Sequence, residues 1–176
     1  MTGYPLLVSP GVVRSLPGGA RLHDDTRLLE AIEAASSDFR RETRQYISRV
    51  VNDVVTLDPE GRRVILLPEL PVISVSALTV DGITVVGLDG LWSETGIIRS
   101  STAFPREFRS VSVTYTHGFD PVPRDIQLAV ARAAIARSTQ PAGVRNATVG
   151  PFTVGYGGAG VSEEWNRITR AYKRHK

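Results

Sequence analysis

Two hydrophobic periods divide the chain. Apolar side chains return at Leu28, Ile32, Ala35, Phe39 and Tyr46, at spacings of four, three, four and seven, which lays one stripe along an amphipathic helix. Asp24, Asp25 and Thr26 supply N-cap oxygens and negative charge where a helix start favours both. The pattern therefore predicts a helix over 24–47. From 49 to 117 the period falls towards two. Val50–Leu57 and Arg62–Leu67 flank Asp58-Pro59-Glu60-Gly61, a turn sequence, and Val72–Val80 runs into Asp81-Gly82, a hairpin signal ahead of Ile83–Val86. Gly96–Arg99 and Arg109–Thr116 are further strands. The last alternates Val111, Val113 and Tyr115 with Ser112, Thr114 and Thr116. This region predicts a twisted antiparallel sheet or a small open barrel.

Helical spacing resumes after Gly118-Phe119-Asp120-Pro121. Pro123 suits a first turn, and Ile126, Ala129, Val130, Ala133 and Ala134 share a side, which predicts an Ala-rich, closely packed helix over 122–139. Residues 140–160 read as a loop and Gly hinge with one strand candidate, Pro151–Val154. A last helix spans 161–175, with Ser162 as its cap and Glu163 and Glu164 in its first turn. Residues 1–23, rich in Gly and Pro, read as an extended N-terminal arm. The expected class is α+β, a single domain over 1–176. It is a bundle of about three to four helices carrying an antiparallel β-rich insertion at 49–117, with a hinged C-terminal helix.

Charge alters this picture only at the end of the chain. The net charge is +3, and residues 161–176 hold all of it, with Arg167, Arg170, Lys173, Arg174 and Lys176 against Glu163 and Glu164. A basic tail on a neutral body reads as a docking element, whereas a duplex-DNA binder usually spreads its basic surface over the domain. The chain has no cysteine, so disulfides, thiolate nucleophiles and cysteine-type zinc sites are excluded. Neither a signal peptide nor a membrane-spanning run is legible, and a protein made in the cytosol is expected, with no membrane partner.

Catalytic and cofactor patterns fail on inspection. His23, His117 and His175 lie in different elements. His117 with Asp120 or Asp125 and Ser110 or Ser112 has triad composition but no nucleophile elbow, so His117 is expected as an ordinary residue in the turn that tops its strand. Gly155-Tyr156-Gly157-Gly158-Ala159-Gly160 satisfies G-x-G-x-x-G, yet a dinucleotide site also needs a further parallel strand and an acidic residue roughly 20 positions on, and neither follows. No enzyme, cofactor or metal is expected.

The final helix has the composition of an interface. Val161, Trp165, Ile168 and Tyr172 form a narrow apolar seam, with Arg167, Arg170 and Arg174 opposite. So short a helix is marginal alone in water and must pack on something. That is either its own domain or a neighbouring protein, for which Trp, Tyr and Arg are the usual energetic anchors. Phe152 and Tyr156 would add aromatics. Arg40, Arg41 and Arg44 form a second basic group, either a solvated helix face or the wall of a DNA channel.

Four stretches, in order, resemble the head-to-tail adaptor (head-tail connector) proteins of long-tailed bacteriophages. They are the helix from Leu28 through Phe39 to Tyr46-Ile47; Leu67-Pro68-Glu69-Leu70-Pro71-Val72-Ile73-Ser74-Val75 leading to Val80-Asp81-Gly82; Val111 through Phe119 with Val122-Pro123-Arg124-Asp125-Ile126; and Val149 through Tyr156 followed by the Gly joint and a short helix ending at Tyr172. Together they span most of 25–175. The basic final helix departs from the more acidic, leucine-rich ending of similar proteins. The resemblance implies a structural virion protein of the neck, assembled in the host cytoplasm as a homo-oligomeric ring, a dodecamer. The ring would sit between the portal protein and a tail-side stopper or tail protein, passing genomic DNA without gripping it. The C-terminal helix would dock on the portal. Other neck or tail rings (a stopper or tail terminator) and a DNA-binding module are the alternatives.

Overall fold

Helix-forming and strand-forming segments separate in the computed structural model, which describes residues 5–88, 90–139, 146–149, 152–155 and 163–173. The chain divides into two compact units, 1–45 with 122–176, and 46–121. The second is inserted between the helices of the first.

The helical unit contains α1 (Pro10–Ser15), α2 (Asp25–Thr43), α3 (Arg124–Thr139) and α4 (Glu163–Tyr172). The stripe foreseen on α2 is its buried face: Leu28, Ile32, Ala35 and Phe39 are sealed from solvent, facing Ile126, Ala129, Val130 and Ala134 of α3. Alanines on α3 admit this approach because they keep the opposing side chains short. Asp24 caps α2 by accepting from the Arg27 amide at 3.1 Å. The helix stops at Thr43, short of the expected residue 47. Arg44 (φ 58°) takes the left-handed cap, its amide donating to the Arg40 carbonyl, and Ile47 (φ 67°) is also left-handed. Tyr46 therefore belongs to the β unit and not to the α2 stripe.

The first residues also differ from the expected extended arm. Ser9 accepts from the Val12 amide, Pro10 occupies the first turn, and six residues form α1, with a single 3-10 turn at Gly19–Arg21. Leu7, Val8 and Val13 are buried, and the Leu7 amide donates to Ser36 Oγ at 3.3 Å. A Ser-Pro start is itself a helix signal; the surrounding Gly and Pro residues masked it. Gly19 is required where α1 meets the turn, since a Cβ there would stand 1.9 Å from the Val13 carbonyl oxygen.

In the inserted unit, β1 (Val50–Leu57), β3 (Val72–Val80), β4 (Ile83–Thr84) and β6 (Val111–His117) form an antiparallel sheet in the order β1-β6-β3-β4. The strands β2 (Val64–Leu66) and β5 (Ile97–Arg99) pair separately. Asp81 (φ 50°) and Gly82 (φ 78°) make the tight turn that joins β3 to β4, with Val80 opposite Ile83. The Pro59–Arg62 turn closes too, through the Arg62 amide and Pro59 carbonyl, but its flanking strands enter different sheets. Val111, Val113 and Tyr115 meet Val72, Leu78, Ile65, Leu67, Ile98 and Phe104 in the core. Within 140–160, read as a loop with one strand, the backbone of β7 (Asn146–Val149) pairs antiparallel with β8 (Phe152–Gly155).

Candidate functional site

The aromatic and arginine residues of α4 fall on opposite sides. Trp165 is 7% exposed, and Ile168 and Thr169 are buried with it. Its indole meets the Phe39 ring edge-on, 5.3 Å between centroids, and Nε1 donates to Glu42 Oε2 at 2.8 Å. Glu164 pairs with Arg132 of α3. The Tyr172 hydroxyl donates to Asp125 Oδ1 at 3.2 Å, and burial, then the Asp125 charge and hydrogen bond, raise the phenol above its usual 10.0. Of the two sequence-level possibilities for the apolar seam, the helix packs it within its own unit. Arg167 and Arg170 remain exposed and carry no ion pair among the described residues. The outward surface of α4 is thus cationic, not aromatic. Phe152 lies on β8; Tyr156, Val161 and Arg174, the Gly hinge and the G-x-G-x-x-G run beyond Gly155 lie outside the described residues.

The second basic group is partly engaged. Arg40 donates to the Pro5 carbonyl, and Arg41 pairs with Asp38, which also receives Arg137 of α3. Arg44 is exposed at the end of α2. Sequence reasoning gave no helix-packing role to Asp38, Glu42 and Asp125, three of the carboxylates that tie the helices together. Each partner lies in a remote segment, so no local spacing announces it.

His117, expected as an ordinary residue in the turn that tops its strand, is instead the last residue of β6 and 0% exposed. Residues on one side of a strand alternate, so Val111, Val113, Tyr115 and His117 all face inwards. Its ring lies 4.8 Å from Tyr115 and 5.9 Å from Tyr46, and Nε2 sits 3.2 Å from Asp53 Oδ2 on β1. Desolvation lowers its pKa from 6.5, against an upward pull from the Asp53 hydrogen bond and charge. Ser112 is on the opposite side of the sheet, and Asp120 pairs with Arg49 at 3.6 Å. The triad arrangement is not formed: His117 is a core residue.

The part of the β unit built from 58–63 and 99–109 carries a feature with no sequence signal. Phe108 is 87% exposed, beside the exposed Arg106 and Arg109. The Arg106 side chain lies over Gly61, where a Cβ would stand 2.9 Å from its Cγ and Nε. Arg63 and Arg99 join the group, because Val64 is opposite Arg99 in the β2–β5 pair and the Ser100 amide donates to the Arg63 carbonyl at 2.9 Å.

The chain matches no protein-family model and no curated protein sequence. Solved structures share its fold. A chain in the neck of an empty GTA (gene transfer agent) particle, computed with C6 symmetry, superposes with a TM-score of 0.60 at 22% identity, covering 100% of this chain and 94% of that one. One in the neck of a native GTA particle, computed with C12 symmetry, gives 0.57 at 20% identity over 96% and 92%. A third, from the virion of a native gene transfer agent particle, gives 0.56 at 20% over 93% and 92%. The bundle with its β insertion is the fold these chains share.

Proposed function

We propose that this protein is a structural subunit of the neck of a tailed, phage-like particle, a head-to-tail adaptor that forms a ring between portal and tail. One observation carries the reading: the likeness to neck chains runs through both units and nearly the whole length of each chain. The resemblance of four ordered stretches to adaptor proteins points the same way. The C6 and C12 symmetries of the similar assemblies support a homo-oligomeric ring, a dodecamer in this reading. The role is mechanical, without catalysis, and places the protein in the virion.

In this ring the portal docks on the outward side of α4. Arg167 and Arg170 supply the exposed charge, and Phe152, Tyr156, Val161 and Arg174 would complete the surface; Trp165, Ile168 and Tyr172 hold the helix in place. DNA passes through the lumen, with Arg40, Arg41 and Arg44 as candidate lining. A near-neutral body suits passage, since each phosphate contact adds binding that must be broken again. The opposite rim receives a stopper or tail protein.

Reversal of the exposed charges tests the docking. Arg167→Glu with Arg170→Glu should leave the melting temperature unchanged and abolish co-purification with the portal protein of the same particle. Unchanged co-purification would remove α4 from the portal contact. The position of the protein within purified particles, seen by electron microscopy, separates an adaptor from a stopper or tail terminator. Tight, salt-sensitive binding of the isolated chain to duplex DNA would favour a DNA-binding module instead.

A further inference from the structure

We propose that neighbouring subunits join head to tail through two surfaces of this chain, the Phe108 end of the β unit on one copy and the outer side of the first half of α2 on the next. The inference rests on the ring reading and adds which surfaces make the contact.

The two surfaces have complementary charge, and each exposes a large apolar side chain. Residues 58–63 and 99–109, held together by the Gly61–Pro105, Arg62–Phe104 and Arg63–Ser100 backbone hydrogen bonds, carry five arginines against three carboxylates. Arg62 is paired with Glu60, whereas Arg63, Arg99 and Arg106 make no ion pair among the described residues. Phe108 lies between Arg106 and Arg109 in the chain and is 87% exposed, and exposed aromatics beside arginines are the residues that dominate protein interfaces. Beside Arg99 an open depression of about 330 Å³, walled by Leu78, Val80, Val85, Leu91 and Phe104, has room for a large apolar side chain.

The start of α2 has the opposite character. Residues 24–33 hold four carboxylates and one arginine. Asp24 caps the helix and Asp25 pairs with Arg14, which leaves Glu30 and Glu33 exposed without an ion pair among the described residues. Leu29, 44% exposed, lies one turn before Glu33 on the flank of the helix. Two different surfaces that fit each other form a heterologous contact, which continues from copy to copy and closes when the rotation allows.

The absence of cysteine makes the contact easy to trap. Phe108→Cys chains are mixed with Leu29→Cys chains and treated with a flexible thiol–thiol cross-linker. The expected product is the mixed dimer, well above both same-variant dimers. Adding Arg63→Glu and Arg106→Glu to the Phe108→Cys chain should cut its yield about tenfold, and adding Glu30→Arg and Glu33→Arg to the other chain should restore it. All these positions are exposed, and unchanged melting temperatures would confirm folding. A statistical mixture of dimers, or a yield indifferent to charge reversal, overturns the proposal. So does loss of duplex-DNA binding in the Arg63→Glu, Arg106→Glu chain without any preference for the mixed dimer. The ring reading is scored separately on the chain carrying both cysteines. A ladder ending at one closed species supports both ideas, and mixed-dimer capture with a ladder that stops at two copies sinks the ring alone. Closed rings of wild-type protein in which this pair never cross-links sink the contact alone.

Discussion

At the scale of single residues, His117 is the clearest case of chemistry governed by surroundings. Its folded pKa lies below 6.5 because burial disfavours the imidazolium more than Asp53 favours it. Protonation therefore stabilises the unfolded chain. The contribution of the neutral ring is whole above about pH 6.5 and is lost as pH falls below that value. Thermal melts across this range should show the β unit weakening on acidification, and His117→Gln should flatten the slope; a wild-type melting temperature that stays level contradicts the assignment. Trp165 gives a second residue-scale expectation. Trp165→Ala should cost about 3–5 kcal/mol in urea unfolding, the usual loss for a large buried aromatic. Trp165→Phe keeps much of the packing but removes the donor from Glu42, for a smaller cost of about 1–3 kcal/mol. Portal binding lost in Trp165→Ala would then report unfolding of α4 as readily as a lost contact, which is why Arg167 and Arg170 are the better probes.

Elements differ in how openly the sequence declares them. The α2 stripe, the alternation of β6 and the Asp81-Gly82 hairpin are local patterns, and each folds where its period or turn chemistry places it. The β3–β4 turn is expected to be demanding: Gly82→Val, at φ 78°, should destabilise the β unit by about 1–2 kcal/mol, read from its urea midpoint. Strand order is different. That β6 lies between β1 and β3, and that β2 leaves its neighbour for β5, depends on pairings tens of residues apart, which hydrophobic alternation cannot encode. The α1 signal at Ser9-Pro10 was legible in principle, but six residues among glycines and prolines gave it no periodicity. The candidate site was legible as composition only. Trp165, Arg167 and Arg170 stood out by spacing, yet which side faced outwards depended on Phe39, Glu42 and Asp125, all remote in sequence. Phe108 and the arginines of the β unit gave no signal, because they come from two segments, 58–63 and 99–109, that only the fold brings together.

For the whole molecule, the proposed ring implies assembly on demand. At low concentration the purified chain is expected to sediment as a monomer, with closed rings appearing as the subunit concentration rises. A ring that persists on dilution would contradict this. The division into units bears on how the polypeptide reaches its fold during synthesis. The β unit grips its own two ends: Val50 pairs with His117, the Arg49 amide donates to the Phe119 carbonyl at 3.1 Å, and Ser48 bridges to Phe119. Gly118 (φ 87°) sits in this clasp, where a Cβ would lie 2.5 Å from the Ser48 carbonyl oxygen. Once closed, the clasp reduces the connection between the α2 and α3 segments from the full Tyr46–Pro121 length to a few residues, which spares roughly 2–3 kcal/mol of loop-closure entropy. On the ribosome, the insertion is therefore expected to mature first and to hand the later helices an already shortened tether. A lesion at Gly118 would be felt as slow pairing of two helices to which that glycine does not belong.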